Sequence, residues 1–260
     1  MPTGENRARA HSRAPHSPAA LLGVLGGMGP LATAHFYRCL IERTPAGRDQ
    51  EHLPVAIWAD PTVPDRTDAL LGQGPSPLQA MLTGLSWLAQ AGATCVAIPC
   101  NTAHAYRNAL RDHTDLEVLD MVSIALRACQ ARKPSLRNVG ILATEGTRQA
   151  RLYETAADRL GLRITHVTQT TQTQHVNSAI TAVKQGHQLT PARAHITAAA
   201  AELHDAGADI VIAACTEIPL ASDEAQKILP VLDSTAALAE HALTVLMPDV
   251  QQVGQADPHL

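Results

Sequence analysis

Two of the five cysteines in this 260-residue chain stand in similar sequence contexts. Cys100 and Cys215 each follow an apolar run, and six residues separate each of them from a preceding Ala-Gly-Ala segment, at 91–93 and at 206–208. A thiol just past the end of a strand and at the start of a helix feels the helix dipole, which lowers its pKa. We therefore predict reactive thiols at Cys100 and Cys215. The remaining cysteines are assigned to the core: Cys39, Cys95 and Cys129.

If the two thiols face each other across one cleft, they are suited to transferring a proton to and from a carbon atom. A thiolate on one face removes the proton, and a thiol on the other face returns one, so that a stereocentre is inverted. A nucleophilic Cys100 with His104 as its base is an alternative, although the i, i+4 spacing also fits two neighbours on one helix. A metal site built from that pair would lack further ligands.

A glycine-rich turn, Gly26-Gly27-Met28-Gly29-Pro30, follows the first apolar run. From Gly27 to Ala32 it matches the G-x-G-x-x-A fingerprint, and Asp49 or Glu51 supplies an acidic residue about 20 positions on. A nicotinamide-dependent oxidoreductase is therefore a competing interpretation. However, a helix that begins at a glycine turn can bind any small anion, and a nucleotide site would leave the cysteine pair unexplained.

Short β-like runs alternate with helical segments such as 77–91 and 191–206, which is typical of an α/β protein with a mostly parallel sheet. The predicted strands are Leu21–Gly26, Val55–Ala59, Thr94–Pro99, Glu117–Leu119, Asn138–Ala143, Arg163–Val167, Asp209–Ala214 and Leu229–Leu232. Because strand, turn and cysteine recur in both halves, we predict two pseudo-symmetric α/β lobes with the active site in the cleft between them.

The predicted first lobe comprises residues 20–122 together with about 223–248, and the second comprises 123–222. Residues 1–19 are predicted to form a disordered tail, and 249–260 a flexible C-terminus. Arginines followed by an apolar run and Ala32-Thr33-Ala34 loosely imitate a secretory signal, but that run is short and interrupted by glycines.

Composition narrows the classes of function. The formal net charge is −4, so no basic surplus is available to neutralise nucleic-acid phosphates. The absence of an 18-residue apolar run predicts no membrane span. An odd number of cysteines without a C-x-x-C pair favours reduced thiols and a cytoplasmic location.

Taken together, the motifs resemble the aspartate/glutamate racemase family, specifically its aspartate racemases. The resemblance runs from about Leu21 to about Leu246 and includes the 26–30, 64–67, 99–104, 144–147, 184–186 and 215–217 segments. It implies an isomerase that interconverts L- and D-aspartate, or glutamate, without pyridoxal phosphate, metal or other cofactor. It also implies a homodimer whose only further partner is a small acidic amino acid.

The resemblance implies Cys100 and Cys215 as the acid/base thiols, and Arg66 and Lys184 as holders of the side-chain carboxylate. The remaining substrate-binding residues that it implies are Met28, Asn101, Thr102, Thr144, Thr147, Thr216 and Glu217. Glutamate racemases of the cell-wall type typically carry His at the position of Glu217. Ala214 departs from the usual Gly, and its methyl group is expected either to crowd the pocket or to alter the substrate range.

Three alternatives accompany this interpretation. The chain could be another thiol-based racemase or isomerase that acts on a different acid, a nucleotide-binding oxidoreductase, or a catalytically silent carboxylate-binding protein. Binding of NADH would favour the second, and ligand binding without exchange of the α-proton would favour the third.

Overall fold

Two four-stranded parallel sheets form the centre of the fold in the computed structural model, which describes residues 20–186 and 189–248. The strand order is β2-β1-β3-β4 in the first sheet and β6-β5-β7-β8 in the second, so one sheet repeats the other. The α/β fold with two similar lobes is therefore confirmed. The strands are β1 (Leu22–Gly26), β2 (Val55–Ala59), β3 (Cys95–Ala97), β4 (Glu117–Val118), β5 (Asn138–Ala143), β6 (Arg163–His166), β7 (Ile210–Ala214) and β8 (Val231–Asp233).

Helices cover both faces of each sheet, as parallel strands require. The α-helices are α1 (Pro30–Arg43), α2 (Arg66–Leu70), α3 (Leu78–Gln90), α4 (Arg107–Arg111), α5 (Met121–Arg132), α6 (Glu145–Gln149), α7 (Leu152–Asp158), α8 (Gln169–Thr171), α9 (Asn177–Lys184), α10 (Leu189–Asp205) and α11 (Ser234–Leu246). A π-helical turn (Gln172–Val176) joins α8 to α9. Short 3-10 helices occur at Asp49–Glu51, Thr102–Tyr106, Ile218–Ala221 and Ala225–Lys227.

The repeated Ala-Gly-Ala segment has the same packing role in both lobes. Its last alanine lies beside a glycine of the central strand. A Cβ added to Gly23 would lie 3.1 Å from the Cβ of Ala93, and one added to Gly140 would lie 3.2 Å from the Cβ of Ala208. Each turn thus brings the following strand close against β1 or β5, and the cysteine at the far end of that strand is placed equivalently in each lobe.

The last strand does not return to the first lobe. We predicted that 223–248 would rejoin that lobe, but β8 pairs with β7 in the second sheet, with Leu232 opposite Ile212. The connection from β7 contains two short 3-10 helices, both of which pack on α10, so the chain stays on its own lobe. Only α11 crosses over, and it packs against α1 and α5.

The largest apolar cluster includes residues from both lobes. Phe36 of α1, Leu126 of α5 and Leu238 of α11 are all fully buried in it, together with Leu22 of β1 and Ile141 of β5. Burial of this shared surface holds the two lobes together. Within the described ranges, no helix is long and apolar enough to cross a membrane. The tail at 1–19 and the C-terminus at 249–260 lie outside the described residues.

Candidate active site

A pocket lies where the carboxyl ends of the strands of the two lobes meet. Both cysteines that the repeat pointed to are in its wall. The lining residues are Met28, Asp65, Arg66, Thr67, Cys100, Asn101, Thr102, Thr144, Lys184, Cys215, Thr216 and Glu217. Of the site residues predicted from sequence, Thr147 alone is outside this lining, and it lies directly behind Thr102 and Thr144.

Cys215 is a buried thiol that is hydrogen-bonded to a buried carboxylate. Its Sγ donates a hydrogen bond to Oε2 of Glu217 at 2.9 Å, and Cys215 and Glu217 are only 5% and 4% exposed. Burial, followed by the charge of Glu217, raises the pKa of Cys215 well above its usual value. The prediction of a lowered pKa is therefore wrong for this thiol. The segment after Cys215 is a four-residue 3-10 helix, Ile218–Ala221, and the adjacent carboxylate opposes the effect of so short a helix.

Cys100 is also buried, with 6% of its surface exposed, and it precedes the 3-10 helix Thr102–Tyr106. Asn101 occupies the N-cap position of this helix, where asparagine is often a side-chain cap, but it makes no such hydrogen bond. Instead, the Asn101 side chain bonds across to the second lobe. Cys100 therefore has a different polar environment from Cys215, despite the similar sequence around it.

His104 is not placed to act as a base for Cys100. Its Nε2 accepts the Met121 N–H at 3.1 Å, so Nδ1 must carry the proton and donate to the Cys100 carbonyl at 2.9 Å. Burial lowers the pKa of His104, which keeps the imidazole neutral. This histidine therefore fixes the backbone of Cys100 and leaves its sulfur free, which argues against the nucleophile–base alternative.

Three threonine hydroxyls meet across the boundary between the lobes. Thr102 Oγ1 lies 2.9 Å from Thr144 Oγ1 and 3.0 Å from Thr147 Oγ1, and the latter two are 3.1 Å apart. Gly146 makes this approach possible, because a Cβ there would lie 2.8 Å from the Cα of Thr67. The cluster forms a polar wall that can donate to or accept from a carboxylate or an ammonium group.

A buried chain of hydrogen bonds passes behind the two cysteines. Ser234 Oγ donates to the Ala213 carbonyl at 2.7 Å, so it must accept from Asn101 Nδ2, 3.1 Å away. The Asn101 Oδ1 then accepts from the Tyr153 hydroxyl at 2.6 Å. The Asn101 amide is consequently committed to the second lobe, with one Nδ2 proton left. The sequence identified Asn101, but Tyr153 and Ser234 were missed because only the fold brings them together.

Arg66 serves the protein backbone as well as the pocket. Its Nη1 donates to the carbonyls of Val63 and Pro64, both at 3.1 Å, and its Nη2 donates to that of Met28 at 3.3 Å. Arg66 as a residue is only 9% exposed, and its Nε atom is buried without a hydrogen-bond partner. The two Nη atoms of the guanidinium are therefore not free to bind a carboxylate together. Its Nε–H, however, is a buried donor without a hydrogen-bond partner.

Lys184 extends from the end of α9 towards the same pocket from the other lobe. Its Nζ lies 4.0 Å from Oδ2 of Asp65, and both side chains are partly exposed. Burial alone would lower the pKa of Lys184, but the nearby Cys215, Glu217 and Asp65 raise it above its usual value. Asp65 was missed as a pocket residue because its sequence signal is that of a helix cap, and it does cap α2.

The glycine turn is used for packing. A Cβ on Gly27 would lie 2.4 Å from the backbone of Asp60, and the Gly27 N–H already donates to Thr33 Oγ1 at 2.9 Å. Gly29 leaves room for Glu217, whose Oε1 would lie 3.4 Å from an added Cβ. The acidic pair of the fingerprint, 49 and 51, precedes β2 and so lies at the opposite end of the sheet from the pocket. These facts argue against a dinucleotide cradle.

The remaining predicted residues lie in the wall. Met28 and Thr216 are 3% and 2% exposed, and Thr216 Oγ1 is 3.5 Å from Glu217 Oε2. The unusual Ala214 is fully buried in the large apolar cluster, opposite Ala143 in the register of β5 and β7. It is absent from the pocket lining, so its methyl group does not crowd the cavity.

Comparison with known proteins agrees with this arrangement. The sequence profile of the Asp/Glu/Hydantoin racemase family matches residues 25–242. The broad specificity amino-acid racemase RacX of Bacillus subtilis is 28% identical over 231 residues, which is 87% of this chain and 98% of that protein. The aspartate racemase of Picrophilus torridus superposes with a TM-score of 0.76 at 28% identity, over 87% of this chain and 94% of the other.

A more distant structure shares the fold. The glutamate racemase of Francisella tularensis, in complex with D-glutamate, gives a TM-score of 0.67 at 14% identity, covering 89% of this chain and 82% of the other. With its repeated parallel sheets, its paired cysteines in one pocket and a profile match over most of its length, the chain belongs to the Asp/Glu/Hydantoin racemase family.

Proposed function

We propose that this racemase interconverts the enantiomers of an acidic amino acid, aspartate first and glutamate second, by proton transfer between two thiols. The observation that carries the proposal is that Cys100 and Cys215, from equivalent strand ends of the two lobes, line a single pocket. The name of one relative, an aspartate racemase, supports an acidic substrate, and the name of the other, a broad specificity amino-acid racemase, supports an amino-acid substrate in general.

The different environments of the two thiols suggest where the reaction begins. Cys215 holds its proton, because it is buried and donates to Glu217. In the starting form, Cys100 is therefore the thiolate that takes the α-proton, and the S–H of Cys215 gives a proton to the opposite face of the carbon. The product leaves Cys100 protonated and Cys215 as the thiolate, which is the form that catalyses the reverse reaction. Protons balance without a redox step.

The cations of the pocket suit a substrate with two carboxylates. A desolvated carboxylate needs a positive partner or several hydrogen-bond donors. The unpartnered Nε of Arg66 and the ammonium of Lys184 supply these from opposite lobes. Removal of the α-proton builds negative charge, which the same cations also stabilise in the transition state. The threonine cluster is left for the α-carboxylate and the ammonium group.

The central experiment is a chiral assay with L-aspartate and L-glutamate in deuterated water, with EDTA and a carbonyl trap present. We expect racemisation with deuterium incorporated at the α-carbon, because neither a metal nor an aldehyde cofactor takes part in the proposed steps. Cys100→Ser and Cys215→Ser should each abolish racemisation, while a single mutant could retain α-proton exchange with one enantiomer. Cys129→Ser is the matched control, since that thiol is buried in α5.

Three results would contradict the mechanism. Loss of activity on addition of EDTA or of the carbonyl trap would show that a cofactor is required. Full racemase activity in either serine variant would show that two thiols are not needed. Binding of aspartate without α-proton exchange in the parent protein would instead indicate a silent binding protein.

Substrate charge is tested most cleanly at Lys184. The side chain of Arg66 supports three backbone carbonyls, so Arg66→Ala would also disturb the fold. We expect Lys184→Gln to cost about 2–5 kcal/mol in kcat/KM with aspartate by leaving its carboxylate unpaired. The loss with alanine as substrate should be smaller. Equal losses with both substrates would contradict the proposed role, and the two-thiol mechanism would still stand.

A further inference from the structure

A second group of chemically competent side chains lies outside the pocket, where α1 of the first lobe meets the turn between β8 and α11. His35 and Cys39 stand at i and i+4 on α1, and Asp233 faces them from the end of β8. His35 Nε2 lies 2.7 Å from Asp233 Oδ2 and 3.7 Å from Cys39 Sγ. All three ligand atoms lie within 4.8 Å of one another.

We propose that His35, Cys39 and Asp233 bind a divalent cation of the zinc type, which connects the two lobes. Imidazole, thiolate and carboxylate are the three ligand types that zinc takes in proteins. At bond lengths of about 2.0–2.3 Å, ligand atoms on a tetrahedral zinc are roughly 3.2–3.8 Å apart. The sulfur-to-nitrogen distance already falls in that range, and the nitrogen and oxygen need to separate by less than about 1 Å.

The surroundings leave a route for the ion. The His35 and Asp233 side chains are 10% and 24% exposed, so the ion can enter from solvent and keep a water molecule as its fourth ligand. Cys39 is buried and fixes the inner side of the site. On binding, the ion displaces the thiol proton of Cys39 and any proton on His35 Nε2, and both protons pass to solvent.

Two arginines face the cluster and oppose a cation. Arg38 Nη2 lies 3.1 Å from His35 Nδ1, so it must move away to let that nitrogen carry the proton when Nε2 binds the metal. Its side chain is 61% exposed and lies 3.5 Å from Glu42, which gives it another partner. Arg43 is already paired with Glu240 at 2.9 Å. The positive charge near the cluster is therefore partly balanced.

The site adjoins the hydrogen-bonded chain that lies behind the two pocket cysteines. Asp233 is followed by Ser234, which belongs to the hydrogen-bonded chain behind the cysteines. A metal ion held by α1 and Asp233 would fix this turn relative to the first lobe. The chemistry proposed for the pocket does not involve this ion, so either proposal can be refuted without affecting the other.

The test uses Co²⁺ as a spectroscopic probe, in a Cys100→Ser/Cys215→Ser background that removes the pocket thiols. We expect one Co²⁺ per chain, with a tetrahedral visible spectrum and a thiolate charge-transfer band. Adding Cys39→Ser should abolish that band, while adding Cys129→Ser should leave it unchanged. His35→Gln and Asp233→Asn should each weaken binding at least tenfold, and the asparagine can still cap α11.

Thermal unfolding gives a second measurement on the otherwise unaltered chain. At a free Zn²⁺ concentration 100 times its Kd, the melting temperature should rise by about 5–10 °C. The Cys39→Ser and His35→Gln variants should lose most of that rise. Absence of the charge-transfer band, its persistence in Cys39→Ser, or equal zinc stabilisation of parent and variants would overturn the proposal and leave only an ion pair between the lobes.

Discussion

Replacing Tyr153 with phenylalanine removes one hydroxyl from the hydrogen-bonded chain behind the cysteines and tests whether that chain positions them. The Tyr153 hydroxyl is 2.6 Å from Asn101 Oδ1, and the two residues are 1% and 2% exposed. Burial raises the pKa of Tyr153, so the hydroxyl keeps its proton and must be the donor. In the Tyr153→Phe variant, the Asn101 carbonyl oxygen is left buried without its donor.

The expected cost can be worked from that single atom. An unsatisfied buried acceptor costs about 1–3 kcal/mol, and the ring itself still fills its site. For a chain of this size, each kcal/mol lowers the melting temperature by roughly 2–4 °C, so the fall should be about 2–12 °C. Asn101 follows Cys100 directly, and a displacement of about 1 Å can cost 100-fold in rate. We therefore expect kcat to fall by about 10- to 100-fold, with KM changed by less than about threefold.

Thermal unfolding and steady-state racemisation, measured on the same preparation, test whether the hydrogen-bonded chain positions the cysteines. Tyr37→Phe is the control, because Tyr37 lies on α1 with 42% of its surface exposed and should change stability by less than about 0.5 kcal/mol. A double-mutant cycle with Ser234→Ala should show coupling above about 0.5 kcal/mol, as expected for members of one network. If Tyr153→Phe changes the free energy of unfolding by less than about 0.5 kcal/mol and leaves kcat within twofold, this chain of hydrogen bonds does not position the thiols.

Two further predictions concern Glu217 in the pocket wall and Gly27 in the glycine turn. Glu217→Gln removes the negative charge that helps to raise the pKa of Cys215, so that pKa should fall. In the direction where Cys215 is the acid, the alkaline limb of the pH–rate profile should move to lower pH, and an unmoved limb would contradict the assignment. Gly27→Ala should destabilise the fold by about 1–3 kcal/mol more than Gly92→Ala in chemical denaturation. Both glycines have φ near +90°, but no atom of the described residues lies within 4 Å of a Cβ added at Gly92. Equal costs would therefore mean that the close contact at Gly27 is unimportant.

The sequence predicted the fold well because the repeated elements are locally determined. Val55–Ala59 and Asn138–Ala143 have the predicted bounds, since each is an apolar run between clear breaks. The Ala-Gly-Ala repeat indicated two lobes, and the structure gives the reason, because its alanine packs on a glycine of β1 or β5. The membership of β8 could not be predicted in this way. Its short apolar run is compatible with either sheet, and the tertiary packing of the preceding turns decides between them.

The sequence predicted which residues form the candidate site better than it predicted what each of them does there. Sequence position placed both cysteines at strand ends, and both line the pocket. It could not show that a carboxylate lies against Cys215, because that contact depends on the backbone bending after β7. Nor could it show that most of the Arg66 guanidinium is used by backbone carbonyls. Charge and hydrogen-bond partners depend on tertiary contacts, whereas strand ends follow from local pattern.

The difference between the two cysteines therefore arises on a framework that is nearly symmetric. The strand order, the Ala-Gly-Ala turns and the glycines beneath them repeat in both lobes, but the residues after each cysteine do not. Glu217 directs a carboxylate at the sulfur of Cys215, whereas the amide of Asn101 is hydrogen-bonded to side chains of the second lobe. The proposed two-thiol mechanism needs one thiol and one thiolate at the start of each turnover, and two identical environments would favour neither distribution. In that mechanism the unequal neighbours supply the bias, because burial and the adjacent Glu217 raise the pKa of Cys215 and favour its protonated form.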